Sequence, residues 1–291
     1  NVFLIIVFKF SDLIISPVIC LILILTIGVS HGSLDHIKGR KLLNILKLEN
    51  IIIFYLTYVL IAISIILLWI LTPSISLIIF LIIASFHFGK EDTQFLINVN
   101  SYFNQFLFFL KGSLIILSPM YFHFDETISI FKLLLVENEA FYSSLSFIEA
   151  NKILYIGIFF SSLSSLILFV KDYELKKFTI FFDYFSILIL NYCFSPLLAF
   201  TIYFCFLHSI RHSITLVFEL NKNNFNKGFR IFAFKAIPLT FIVIVLCIIS
   251  IYFLNNNYDF DSSILKIIFI GLASLTFPHI LLEYLLEKNE K

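Results

Sequence analysis

The sequence predicts an all-α protein, a polytopic transmembrane helical bundle of about nine spans. Three observations carry that expectation. Of the 291 residues, 60% are hydrophobic and 13% are charged, where a soluble domain carries roughly 25% charged residues. The apolar residues fall in long continuous runs close to the ~20 residues that a helix needs to cross the hydrocarbon core. The basic residues gather in alternate connections between those runs. A soluble chain of this length could not bury so much apolar surface. An outer-membrane barrel would show short alternating strands instead. With a net charge of +1 there is no basic face for nucleic acid.

The expected spans, in chain order, are residues 13–30, 51–71, 74–88, 103–119, 153–170, 178–193, 196–218, 236–254 and 263–286. The third is short, and the sixth and seventh are divided only by Ser195-Pro196. The stretch 2–10 is too short to span alone. Because the chain opens on Asn1 and not Met, that stretch is consistent with the remnant of a clipped helix. Residues 121–152 form the one long connection, within which 127–136 suits a short interfacial helix. No composition shift marks a linker, so 1–291 reads as a single integral membrane domain. Cys20, Cys193, Cys205 and Cys247 all sit inside apolar runs and form no CxxC pair, so neither a zinc ribbon nor a disulfide framework is indicated.

Orientation follows from the basic residues of the connections. One side holds Lys38, Arg40, Lys41, Lys47, Lys90, Lys171, Lys176, Lys177, Lys222, Lys227, Arg230, Lys235, Lys288 and Lys291. The other holds only Lys9, Lys132 and Lys152, together with seven acidic residues such as Asp125, Glu137 and Asp259. The first side is therefore expected in the cytoplasm, with the N-terminus outside and the C-terminus inside. A multi-pass protein of the cell (inner) membrane results.

Six of the seven histidines fall in four polar clusters. These are His31-Gly32-Ser33-Leu34-Asp35-His36, His87-Phe88-Gly89-Lys90-Glu91-Asp92, His208-Ser209-Ile210-Arg211-His212, and Pro278-His279 with Glu283 one turn on. The seventh, His123, stands alone and reads as an ordinary loop histidine. On the expected topology the clusters lie near the cytoplasmic ends of spans one, three, seven and nine, and Asp183 falls in the same layer. Ionisable groups are costly in a bilayer and usually face a functional interior. Imidazole is the commonest nitrogen ligand for Fe, Zn, Cu and Ni. His208 and His212 are spaced i, i+4, as are His31 and Asp35, so each pair shares a helix face. Asp35 could then fix the tautomer of a ligating histidine. His36 lies about 140° around an ideal helix from His31, which disfavours one ion for both. Arg211 reads as a structural cation for Asp183 or Asp35.

An HxxxH pair alone is weak, because a histidine near a helix end is most often bonded to a carbonyl or water. Four clusters on one side of the membrane are harder to explain that way. No HExxH supports a zinc peptidase, and no G-x-S-x-G elbow supports a hydrolase. Di-iron desaturases use more histidines than this. A single ion with about four imidazoles and open positions fits the count. The residues alone thus point to a membrane metalloenzyme, with a lipid desaturase or oxygenase and a proton-relaying transporter as the alternatives.

The clusters resemble those of the Brp/Blh family, the membrane-bound beta-carotene 15,15'-dioxygenases. The likeness rests on His31-Gly32-x-x-Asp35-His36, His87-Phe88-Gly89 with Asp92, His208-Ser209-x-Arg211-His212 and Pro278-His279, in that order across nearly the whole chain. It implies Fe(2+) as cofactor, beta-carotene and O2 as substrates, and retinal as the product that supplies a rhodopsin. By matching position it implies His31, His87, His208 and His212 as the iron ligands. His279 then takes a supporting place or that of a substitute ligand.

Overall fold

The structure, a computed structural model, describes residues 15–94, 96–97, 101–171 and 174–289, apart from the side chain of His31. The stretch 2–10 and the beginning of the first expected span lie outside the described residues. Among the described residues the chain is predominantly helical and contains no strand, so the all-α expectation holds.

The helices are α1 (Pro17–Leu23), α2 (Asp35–Ile45), α3 (Ile51–Leu71), α4 (Pro73–Glu91), α5 (Tyr102–Phe122), α6 (Phe124–Leu133), α7 (Glu139–Ala150), α8 (Ile153–Val170), α9 (Phe178–Cys193), α10 (Pro196–Leu220), α11 (Phe225–Leu254) and α12 (Phe260–Asn289). Their starts follow ordinary capping chemistry. Asn50, Asn138 and Asn224 each accept a hydrogen bond from a first-turn backbone N–H of α3, α7 and α11. Pro73 opens α4, and Pro196 opens α10. Asp259 accepts from the Ser262 hydroxyl and backbone N–H before α12. Those bonds hold its carboxyl below the usual range.

Seven of these helices (α3, α4, α5, α8, α10, α11 and α12) are long and apolar enough to cross a membrane. An eighth follows if Pro17–Gly28 and Gly32–Ile45, bent by 42°, form one span. Helix α9 coincides with the expected sixth span, but its 16 residues rise only about 24 Å, short of a ~30 Å hydrocarbon core. The expected long connection at 121–152 is instead mostly helical, forming α6 and α7. Helix α6 overlaps the short interfacial helix expected at 127–136, beginning three residues earlier, with Phe124, Ile128 and Phe131 interleaved with Asp125, Glu126 and Lys132 in an amphipathic pattern; α7 was not expected.

The chain divides into two compact units. The first contains Leu77–His208, with the chain up to Cys20. Here α5 packs on α8 and α9, and those two pack on each other. Small residues permit the approach: Ser161, Ser164 and Ser165 are buried, and the Ser161 hydroxyl donates to the Lys111 carbonyl. In a membrane such small-residue seams replace the hydrophobic drive between helices. Helices α4 and α5 meet at two glycines. A Cβ built on Gly89 would overlap the Phe108 carbonyl, and one on Gly112 would overlap the Ser85 carbonyl. The lone His123 fastens the α5–α6 junction to α9, its Nε2 lying 2.8 Å from the Asn191 carbonyl oxygen.

The second unit contains Leu21–Ser76 and Ser209–Lys291. Here α12 packs on α3 and α2, while α11 packs on the 209–220 part of α10 and on residues 29–34. Its core includes Leu34, Leu216, Val217, Phe232 and Ala236. Helices α3 and α11 expose Leu56, Leu60, Ile237 and Phe241, a surface suited to lipid and not to water.

Candidate metal centre

His87 and Asp92 of the second cluster meet His208 of the third within the first unit. Helix α4 carries His87, Phe88 and Gly89 in its last turns, with Asp92 just beyond its end. The glycine contact with α5 fixes that end in place. Helix α10 is regular over Pro196–Ile202, then π-helical over Tyr203–Ser209. The irregularity has a direct consequence. Residues five apart lie about 140° apart on an α-helix, but π-helical i→i+5 bonding brings them onto one side. Tyr203 and His208 are five apart, and both reach Asp92. The Tyr203 hydroxyl donates to Asp92 Oδ2 at 2.6 Å, and His208 Nδ1 lies 3.0 Å from Asp92 Oδ1. Asp92, Tyr203 and His208 are each at most 3% exposed. The buried carboxylate favours an N–H on Nδ1, which leaves the lone pair of His208 on Nε2, the form that ligates a metal. The His87 ring lies 5.5 Å from the His208 ring, centroid to centroid, and Phe88 and Phe204 pack against His208.

The second unit repeats this chemistry with other residues. Residues 24–28 are π-helical and residues 29–34 form a 3-10 helix, so the first cluster also sits where the helix is irregular. The Ser209 hydroxyl donates to the Gly28 carbonyl at 3.2 Å, joining the ends of the two π-helical segments. Asp35 opens α2 and faces α12. Its oxygens lie 2.8 and 2.9 Å from His279 Nδ1, and it accepts the Tyr58 hydroxyl at 2.9 Å. Each unit therefore contains a Tyr–Asp–His chain. The His212 ring lies 6.2 Å from the His279 ring. One turn beyond His279, Glu283 is paired with Lys38 at 2.7 Å.

The expected site residues are placed as follows. His87, Asp92 and His208 come together in the first unit, and Asp35, His212 and His279 in the second. The spacing pairs Asp35 with His31, but among the described residues Asp35 holds His279 and Tyr58. The His31 side chain lies outside the described residues. His36 turns back, its Nδ1 3.0 Å from the Ser33 carbonyl oxygen of its own turn. Asp183 is buried on α9 in the first unit, and Arg211 is half-buried on α10. Between His208 and His212 the helix changes geometry. His208 belongs to the π-helical stretch, and His212 lies in the first turn of the α-helical part that follows. Sequence reading missed Tyr58 and Tyr203. Tyr58 is one aromatic among many in an apolar run, and the spacing of Tyr203 from His208 gains meaning only in a π-helix.

A family model described as beta-carotene 15,15'-dioxygenase matches residues 22–287. The chain belongs to that family. No curated protein and no solved structure is matched. Membership of the beta-carotene 15,15'-dioxygenase family brings a carotene substrate and dioxygenase chemistry to a helical membrane protein. The donor set fits a metal ion: buried imidazoles, two of them with Nδ1 held by a carboxylate, are what a ligand sphere requires.

Proposed function

We propose that the protein cleaves the central 15,15' double bond of beta-carotene with O2, giving two molecules of retinal that supply a rhodopsin. The C=C bond is lost, and each of its carbons takes one oxygen atom to become an aldehyde, so the equation balances without another reductant. The cofactor is Fe(2+), held by His31, His87, His208 and His212. When bound, the iron supplies the activation of O2. The observation that carries this reading is the family match spanning all four histidine clusters, with the buried Tyr203–Asp92–His208 chain as its physical support.

The chain's own residues do the rest. Asp92 keeps His208 in one tautomer and one orientation, and Tyr203 holds Asp92. Gly89 allows the α4–α5 contact that sets His87. The phenylalanines around His208 keep water away and offer flat apolar walls to a polyene. Beta-carotene is too apolar to arrive through water, so it enters sideways from the bilayer. The protein lies in the cell inner membrane as a multi-pass helical bundle, with its C-terminus in the cytoplasm, as the distribution of basic residues supports.

The test is expression in carotene-producing cells with an assay for retinal. Formation of retinal that is lost in His208→Ala and His212→Ala supports the proposal. Retinal undiminished in both variants overturns the ligand assignment, and no retinal from the unaltered chain overturns the reaction.

A further inference from the structure

Helices α6 and α7 have no part in the proposed reaction, yet they and their connection line a cavity of about 890 Å³ in the first unit. Small-molecule sites span about 300–1,000 Å³. The polar lining is Lys132 of α6, Glu137 of the connection, and Glu139, Tyr142, Ser143 and Ser146 of α7. Two features shape it. Leu135 turns the chain between the helices in the left-handed region, with φ 70°, which a leucine rarely adopts. The Tyr142 hydroxyl donates to the Val136 carbonyl at 2.6 Å and fixes the tyrosine ring. Lys132 Nζ stands over that ring, 5.4 Å from its centroid. Among the described residues Lys132 pairs with neither Glu137 nor Glu139, although both carboxylates line the same cavity.

The cavity has a defined level in the bilayer. Helix α6 begins just after α5 ends, and α7 ends just before α8 begins. At this end of the unit α5, α8 and α9 carry Tyr121, Phe122, Tyr155 and Tyr192. Tyr121 packs edge-on to Tyr155 and Phe122 to Tyr192, with 4.9 and 5.8 Å between ring centroids. Tyrosines gathered at helix ends mark the membrane–water interface, so the cavity lies at headgroup level. Phe147, next to Ser146 and exposed on α7, offers apolar surface to an acyl chain.

The lining selects among headgroups. An ammonium and two hydroxyls suit phosphate oxygens, while two carboxylates accept from a primary ammonium. A quaternary ammonium has no N–H to donate and is recognised by aromatic faces, and Lys132 already covers the face of Tyr142. An anionic headgroup without an amine brings its charge to two carboxylates and satisfies neither. We propose that the cavity binds one phospholipid whose headgroup joins a phosphate to a primary amine. Lys132, Ser143 and Ser146 hold the phosphate, Glu137 and Glu139 hold the amine, and the lipid ties the α6–α7 pair to the bilayer surface. The site is separate from the proposed metal centre and does not depend on the reaction.

The experiment uses the full chain, purified in detergent and stripped of lipid, with native mass spectrometry counting the lipids that stay bound. Phosphatidylethanolamine, phosphatidylcholine and phosphatidylglycerol with the same acyl chains are the probes. The expected result is one phosphatidylethanolamine per chain, held about tenfold more tightly than either of the others, as the loss of a charge-assisted hydrogen bond implies. Lys132→Gln should remove that preference, and so should Glu137→Gln combined with Glu139→Gln. Glu137→Lys combined with Glu139→Lys should turn the preference towards phosphatidylglycerol. Circular dichroism monitors folding, and where a variant does not fold the headgroup ranking of the unaltered chain decides alone. Equal retention of the three lipids, a preference for the choline or glycerol headgroup, or a preference that survives every substitution overturns the inference. Soluble glycerophosphoethanolamine should compete only weakly, and competition as strong as that of the lipid overturns the lipid assignment.

Discussion

Replacing Asp92 by asparagine changes almost no volume, yet it removes the charge that holds His208. The carboxylate accepts from His208 Nδ1 at 3.0 Å and from the Tyr203 hydroxyl at 2.6 Å, one oxygen for each. Asparagine keeps a single carbonyl oxygen. One of the two donors then faces an NH2 group, in a place where all three side chains are at least nine-tenths buried. A hydrogen bond to a charged group contributes about 1.5–3 kcal/mol. Loss of a carboxylate behind a ligating histidine lowers metal affinity about 10- to 100-fold, or about 1.4–2.7 kcal/mol at 1.36 kcal/mol per decade. The two figures agree, so Asp92→Asn is expected to weaken Fe(2+) or Co(2+) binding by that factor. Retinal formation in carotene-producing cells should fall with it and recover in part when iron is added. Tyr203→Phe leaves the charge in place and should cost less than tenfold. The assay is metal affinity of the purified protein by chelator competition. Wild-type affinity in a folded Asp92→Asn protein would refute the reasoning.

Other variants test other parts of the account. Gly89→Ala places a methyl group against the Phe108 carbonyl, a backbone atom that cannot swing away, so folded protein recovered from membranes should be nearly lost; near-normal yield contradicts the α4–α5 contact. Ser209→Ala removes the bond to Gly28 and should lower stability by about 0.5–1.5 kcal/mol in thermal unfolding. Full stability would show that the bond contributes nothing. His36→Ala should retain metal binding and activity, because its Nδ1 is turned to the carbonyl of Ser33, and loss of the metal would bring His36 into the ligand set. Stripping the metal with a chelator should abolish retinal formation, and Fe(2+) should restore it. Activity that survives a demonstrably metal-free preparation contradicts the metal centre.

The helical bundle was legible because its signal is long-range and redundant. A run such as 51–71, with no charge in it, has only one stable conformation in a bilayer. Ser195-Pro196 correctly marked the start of α10, since proline suits the first turn of a helix and cannot continue a preceding one. Helix α6 was legible as a short interfacial helix at 127–136, while α7 escaped because a short amphipathic helix leaves no apolar run to find. The site was legible at the level of residue type: Asp35, His87, Asp92, His208, His212 and His279 all lie in the two clusters that the structure assembles. Their pairing was less so. Spacing arguments assume a regular α-helix, and both of the most specific motifs lie where the helix turns into π or 3-10 geometry. That change carries His208 and Tyr203 together onto Asp92. Between His208 and His212 the chain also passes from π-helical to α-helical geometry, so the i, i+4 rule of a regular helix does not apply there unchanged. Asp35 was expected to serve a histidine, and it does, but the histidine is His279, 244 residues away. No local pattern could have named it.

The central claim is that this membrane protein turns beta-carotene into retinal at a single histidine-held iron. The most direct measurement combines two readings on one sample. The purified chain is given beta-carotene and O2, retinal is quantified by mass spectrometry, and iron is counted per chain. The account predicts two retinals for each carotene consumed, one iron per chain, and loss of both readings in His208→Ala. Carotene left intact by protein carrying its iron, or full turnover by a chain holding no metal, would contradict it.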